Sequence, residues 1–260
     1  MVLYVIGLGI YGQYDVRFIP QYLIELLKTC DEVYLEKHTS VVKIDIGELC
    51  NLIGKQVIVA SREALEEKSY ALIRTASARK IALLTPGDPL IATNHAQLIV
   101  ECVKNKVDVK VFYASSALCA AISASGLHVY KFGPPCTIVR ESKAPSTRCY
   151  QLLKDNVARG LHSIFFLEYD YEEGYVMKPI EALRILASMD EEHLLVSEDR
   201  YIILLCGLGS NNELKMAIKY QELPLLDTLT FMEPCMIIIT GSLHYTEREY
   251  IETVLRGGPF

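Results

Sequence analysis

The sequence has no excess of basic residues: 26 Lys and Arg stand against 32 Asp and Glu in 260 positions, a formal net charge of −6 with a pI near 5.6. Without a global positive field the chain is not expected to be a general nucleic-acid binder. Its eight cysteines form no CxxC pair and do not gather with histidines, which speaks against a zinc site. Cys102, Cys206 and Cys235 sit inside apolar patterns, where reduced cysteine acts as a small hydrophobe, so a reducing compartment is expected rather than a disulfide framework. No apolar run reaches transmembrane length, and the N-terminal run ends at Gly7, too short for a signal peptide. Internal repeats, low-complexity segments and heptads are also missing. What is left is a globular, cytoplasmic protein of one large domain or two ordinary ones, 51% hydrophobic and 22% charged.

The most informative stretch is 81–95, IALLTPGDPLIATNH. Ile81 to Thr85 reads as a buried parallel strand, stopped by Pro86-Gly87. Asp88 and Pro89 follow, and Asn94 is placed to cap a helix over Ala96 to Lys104. A carboxylate and free backbone amides thus stand just past the carboxyl end of a strand, where open α/β sheets hold their ligands. The plainer reading is an ordinary loop with a turn-forming aspartate.

Val2 to Ile6 reads as a central strand, followed by Gly7-Leu8-Gly9-Ile10-Tyr11-Gly12, literally GxGxxG. A helical pattern over Asp15 to Lys28 and a strand ending at Glu36 complete the layout of a dinucleotide fold, with an acid about 20 residues on for a ribose hydroxyl. An NAD(P)-dependent oxidoreductase is therefore a real rival. Against it, Pro20 and the stretch Gly12 to Asp15 postpone the helix whose N-terminus should face pyrophosphate, and Tyr11 and Tyr14 add bulk there. Strands and helices alternate onward to a strand over Val107 to Tyr113, which predicts a parallel sheet with helices on both faces. Ala114-Ser115-Ser116-Ala117 then reads as a ligand loop or simply a helix cap. Gly126 to Pro135 reads as a linker, and strands over 137–140, 163–168, 201–206 and 236–240 follow with intervening helices. Loops 7–12, 86–93, 114–117, 207–210 and 241–244 all end strands in small residues, which suggests one ligand in a cleft between two α/β domains.

Taken together, LYVIGLG (3–9), CDEVYLEKHTS (30–40), GDPLIATNH (87–95), GLHVYKFG (126–133), GLHSIFFLE (160–168) and TGSLH (240–244) resemble the diphthine synthase family of the tetrapyrrole-methylase (class III) methyltransferases. The resemblance implies an N-terminal α/β methylase domain over 1–114 and a second α/β domain over 115–260 that completes a cofactor cleft. It also implies a homodimer, S-adenosylmethionine as cofactor, and translation elongation factor 2 as protein substrate, with no nucleic acid, membrane or metal involved. The amino group of a 3-amino-3-carboxypropyl arm on a modified histidine is the implied methyl acceptor, with eukaryotic forms adding a methyl ester. Position by position, the implied cofactor contacts are Ile10, Asp88, Ile91, Ser115, Ser116, Leu167, Ala217 and His244. Glu168, Tyr113 and Gly207 depart from the family pattern at places that bear on substrate positioning. No catalytic base is assigned. His95 reads either as functional or as a structural hydrogen-bonding residue, and Cys119 as a packing residue. A non-catalytic adenosylmethionine-binding protein that docks on the translation factor is the third reading.

Overall fold

The computed structural model describes residues 1–66 and 68–257. The chain forms two compact units, Met1–Cys119 and Ala120–Phe260, each built on its own five-stranded sheet.

Unit 1 runs β1 (Val2–Gly7), α1 (Gly9–Gly12), α2 (Gln21–Thr29), β2 (Glu32–Glu36), α3 (Ile46–Ile53), β3 (Val57–Ala60), α4 (Arg62–Leu65), α5 (Ser69–Ala78), β4 (Lys80–Thr85), α6 (His95–Lys104) and β5 (Asp108–Phe112). The strands lie parallel in the order β3-β2-β4-β1-β5. Successive side chains of a strand face opposite sides, so a strand covered by helices on both faces must be apolar throughout. In β4, Ala82 and Leu84 join Leu23, Ile24, Leu27, Leu49 and Ile53 in one core. Its Ile81 and Leu83 join Leu72, Ile73, Ala76 and Leu98 in the other. Each such fully buried aliphatic side chain contributes about 1.5–3 kcal/mol. The chain leaves β1 toward β2 and leaves β4 toward β5. Two neighbouring strands therefore send their connections to opposite sides, and their carboxyl ends form the crevice where such sheets bind ligands.

The helix expected over Asp15 to Lys28 is broken. Four residues form α1, a 3-10 turn covers Val16–Phe18, and α2 begins only after Pro20, which holds the N-cap with no N–H to leave unpaired.

Helix α7 (Ala117–Ser125) is followed in unit 2 by β6 (Cys136–Ile138), α8 (Thr147–Ala158), β7 (Ser163–Leu167), the small hairpin β8 (Tyr169–Asp170) and β9 (Tyr175–Val176), α9 (Pro179–Ser188), β10 (Ile202–Cys206), β11 (Leu214–Ile218), β12 (Cys235–Ile239) and α10 (Tyr245–Tyr250). The sheet order is β11-β10-β12-β7-β6; only β6 and β7 are parallel, and the other neighbours are antiparallel. Its core joins Ile138, Leu153, Phe165, Leu183, Leu186, Leu204 and Ile237.

Three expectations are corrected here. Gly126 to Pro135 is no linker: the Gly133 amide donates to the His162 carbonyl at 2.9 Å, and Phe132 bridges to His162, so the segment is tied to unit 2. Cys136 and Cys149 form a disulfide, because α8 packs back on β6 and brings together two thiols that the linear pattern keeps apart. Cys119 is exposed rather than packed. No helix among the described residues is long and apolar enough to cross a membrane.

Candidate functional site

At the carboxyl ends of β1, β4 and β5 three loops are stitched together. The Leu8 amide donates to the Thr85 carbonyl at 2.8 Å, and the Gly9 amide to the Gly87 carbonyl at 3.1 Å. Gly7 lies so close beneath them that a Cβ there would fall 2.5 Å from the Gly87 carbonyl oxygen and 2.8 Å from the Ala114 Cβ. The Ile10 amide donates to Ser115 Oγ at 3.0 Å. Asp88, 8% exposed, accepts from the Leu90 amide at 2.9 Å on one oxygen and from the Ala114 amide at 3.1 Å on the other. Its carboxylate therefore clamps the β4 loop to the β5 loop, and a second lone pair on each oxygen is still available for a ligand donor. Ser116 is buried, and its hydroxyl accepts from the Cys119 amide at 3.1 Å, the capping role that was the plainer reading.

Of the expected cofactor residues in unit 1, the fold brings together Ile10, Asp88, Ser115 and Ser116, while Ile91 stands out on the loop, 43% exposed. In unit 2 the expected residues are not gathered. Leu167 closes β7, and Ala217 pairs with Ile203 in the edge strand β11. Two strands stand between them, which separates them by roughly 14 Å across the sheet alone. His244 follows β12, which runs opposite to β7, so it lies at the other end of this sheet from Leu167. The same reversal parts loop 207–210 from loop 241–244. An exposed His244 caps α10; its Nδ1 lies 2.8 Å from Thr246 Oγ1, which in turn reaches His128 Nε2 at 3.2 Å. Among the departures from the family pattern, Glu168 is 5% exposed and accepts from the Arg140 amide at 2.7 Å and Lys143 Nζ at 3.0 Å. Burial alone would raise its pKa, but those donors hold it below the ordinary glutamate value.

Glu36, the acid that the dinucleotide reading assigns to a ribose, is fully buried. Its Oε2 lies 2.8 Å from His95 Nε2 and its Oε1 3.5 Å from His38 Nδ1. A fully buried carboxylate paired with His95 is not presented to a ribose, and the four-residue α1 is no platform for a pyrophosphate. The fold thus removes the physical basis of the NAD(P) reading. Asn94 holds the N-cap position of α6 as expected, but its side chain makes no capping bond and its Nδ2 donates instead to Glu66 Oε1 at 3.0 Å.

Sequence reasoning missed two buried clusters. One joins Glu36 and His95 with the half-buried His38 and Glu66, whose members come from three separate stretches of chain. The other surrounds Glu247 in unit 2 with His162, Lys131 and the His128 and His244 amides. For the second a local signal existed, since a glutamate three residues past the helix cap is the spacing of a capping box.

Gly9 has φ +68°, and a Cβ there would stand 3.0 Å from Ser115 Oγ. A β-branched residue at positive φ is a backbone outlier, costing about 1–3 kcal/mol. Gly9→Val is expected to break the Ile10–Ser115 bond and abolish binding of the ligand these loops hold. A crystal structure of the variant with that bond intact and a ligand seated would show that the turn tolerates the side chain.

The sequence matches the family described as Tetrapyrrole (Corrin/Porphyrin) Methylases over residues 2–222. It is 32% identical over 254 residues to the diphthine synthase of Methanocaldococcus jannaschii, spanning 95% of this chain and 96% of that protein. To the diphthine synthase of Saccharolobus solfataricus it is 34% identical over 264 residues, spanning 98% and 99%. A crystal structure of diphthine synthase superposes with a TM-score of 0.82 at 28% identity, covering 98% of this chain and 96% of that one.

Proposed function

The chain belongs to the tetrapyrrole methylase family, and from that premise we propose that it is a diphthine synthase. In this reading it transfers methyl groups from S-adenosylmethionine to the amino group of the 3-amino-3-carboxypropyl arm on the modified histidine of translation elongation factor 2. The observation that carries the reading is likeness to diphthine synthases over almost the whole of both chains, with the stitched β1, β4 and β5 loops at the crevice of the sheet. Those loops fit an adenosine-bearing ligand. Gly7, Gly9, Gly87 and Ala114 leave the backbone bare, and Asp88 offers free lone pairs for an amino or hydroxyl donor. Ile10, Asp88, Ile91, Ser115 and Ser116 would hold the cofactor from these loops. A homodimer acting in the cytoplasm belongs to the same proposal.

Bound S-adenosylmethionine supplies an electrophilic methyl whose leaving group departs neutral, so this chain need provide neither an oxyanion hole nor a metal. What the residues provide is position. Aligning nucleophile and methyl at near-attack distance supplies about 7–11 kcal/mol, and a floor fixed by the Gly9–Gly87, Ile10–Ser115 and Asp88–Ala114 bonds is suited to it. The amine must shed protons between rounds. His95 is not the acceptor, because both of its ring nitrogens are occupied, by Glu36 and by the Pro89 carbonyl at 2.8 Å.

The deciding experiment incubates the protein with labelled S-adenosylmethionine and elongation factor 2 carrying the aminocarboxypropyl histidine, and reads the factor's mass. Successive methyl additions are the expected result. Cofactor binding without mass gain would favour the non-catalytic binding protein, and binding of NAD alone would restore the oxidoreductase. A second expectation concerns the substrate's size. Contacts remote from the reacting centre can be spent on positioning it, so kcat/KM is expected to fall at least about tenfold when a short modified peptide replaces the intact factor. Equal values at matched salt would mean that only the arm is read.

A further inference from the structure

Beside the proposed cofactor loop, unit 1 holds a chain of buried polar groups that the methyl transfer does not use. Glu36 ends β2, the strand next to β4, and has no exposed surface. His95, 4% exposed, opens α6 and bridges two partners: Nε2 is 2.8 Å from Glu36 Oε2, and Nδ1 is 2.8 Å from the Pro89 carbonyl. Thr93 Oγ1 donates to the same carbonyl at 2.6 Å. On the other side of the Pro89–Leu90 peptide, the Leu90 amide donates to Asp88. The peptide that carries the loop past Asp88 is thus gripped at its oxygen by His95 and Thr93 and at its nitrogen by Asp88. We infer that Glu36, acting through His95, is a positioning residue for cofactor binding, holding the Gly87–Leu90 loop in its ligand-ready form.

The Pro89 carbonyl is an acceptor and an ionised Glu36 offers only acceptors, so beside that carboxylate the ring is satisfied only when each nitrogen carries a proton. The bridge is therefore an imidazolium, and this is consistent with the direction of its titration. Burial alone would lower the His95 pKa, but Glu36 and the Pro89 carbonyl outweigh burial and hold it above the ordinary histidine value. The other groups facing this pair are His38 and Glu66. His38, pushed down by burial, has Nδ1 3.5 Å from Glu36 and Nε2 3.7 Å from Glu66. Glu66 is paired in turn with Arg62 at 2.9 Å and Asn94. His38 stays neutral and Glu66 is compensated locally, so the His95 charge is answered by Glu36. A group with a raised folded pKa gives its full contribution below the unfolded value and loses it as pH rises through the folded value. The loop's hold on a ligand should then weaken on the alkaline side, when the ring keeps one proton for two acceptors.

The inference rests on the cofactor assignment above, and the test separates the two. Binding of S-adenosylhomocysteine is measured by calorimetry from about pH 6 to about pH 9, with the unaltered protein and with Glu36→Gln. The variant keeps the shape and one acceptor oxygen but removes the charge that sustains the imidazolium. The expected result is a binding constant that weakens on the alkaline arm in the unaltered protein. In Glu36→Gln that arm moves to lower pH, with KM for the cofactor raised about tenfold and kcat at saturating cofactor nearly unchanged. A folded Glu36→Gln protein with the same affinity and pH profile overturns the inference alone. If the unaltered protein binds no S-adenosylhomocysteine, the cofactor assignment falls and takes the inference with it. Should Glu36→Gln not fold, NMR titration of the His95 ring in the unaltered protein decides. A ring that loses its proton at or below the ordinary histidine value overturns the bridge, and one still doubly protonated above that value supports it.

Discussion

Glu247→Ala is expected to remove about 3–5 kcal/mol of folding stability, as the truncation of one partner in a buried ionic cluster does. The side chain is fully buried. Its Oε1 accepts from the His128 amide at 2.8 Å and from His162 Nε2 at 3.1 Å. Its Oε2 accepts from Lys131 Nζ at 2.5 Å and the His244 amide at 2.7 Å. The His162 Nδ1 accepts from the Gly241 amide at 3.0 Å, which places the imidazole proton on Nε2, toward Glu247. One carboxylate therefore ties the segment before β6, the head of β7 and the turn after β12, and its loss strands a cation and three N–H donors. Burial would raise the Glu247 pKa, but the Lys131, His128, His244 and His162 donors bring it down to about 2, from an ordinary 4.5. A depressed carboxyl contributes stability above its unfolded value that is lost as pH falls through the folded one, here from about 4.5 toward about 2. His162, lowered by burial, adds a loss that begins below its ordinary 6.5, where only the unfolded chain takes up the proton. Urea unfolding across acid pH checks both. A midpoint that Glu247→Ala leaves unmoved, or an acid arm that it does not flatten, would refute the account.

The central strands were legible because β1, β4, β10 and β12 are covered on both faces and must be apolar throughout, a pattern that local sequence displays. Strand β11 was not: Leu214–Ile218 is an edge strand interrupted by Lys215, half-exposed over its first three residues, and edge strands need not alternate cleanly. Strand direction was equally hidden. Positions alone made loops 207–210 and 241–244 look equivalent, whereas the antiparallel run of β10 against β12 sends them to opposite ends of the sheet. In the candidate site, Gly7, Gly9, Asp88 and Ser115 could be found because strand ends rich in small residues are a local signal. The bridge from Glu36 through His95 to Pro89 could not. It depends on β2 lying beside β4, a neighbour relation that no spacing in the chain encodes. The Cys136–Cys149 pairing was lost for the same reason, since only the return of α8 onto β6 makes the two residues neighbours.

Asp88→Ala should weaken S-adenosylmethionine and S-adenosylhomocysteine binding by at least about a hundredfold, or about 2.8 kcal/mol. The carboxylate holds two backbone amides, Leu90 in its own loop and Ala114 in the loop after β5, and a hydrogen bond to a charged group contributes about 1.5–3 kcal/mol. Stability will fall as well, because the group is buried and the two amides lose their partner. The binding loss should nonetheless be larger. The same truncation removes the lone pairs facing a ligand donor and frees the β5 loop, whose Ser115 Oγ supports the Ile10 amide. Asp88→Asn separates these effects. Its remaining oxygen can keep one amide, while its NH2 must confront the other N–H, so it should bind better than alanine and worse than aspartate. Calorimetric affinities, read beside the unfolding midpoints of the same proteins, give the answer. A folded Asp88→Ala protein that binds both ligands as the unaltered chain does would remove the β4 loop from the cofactor site. Loss of stability with affinity preserved would make Asp88 a clamp between loops and nothing more.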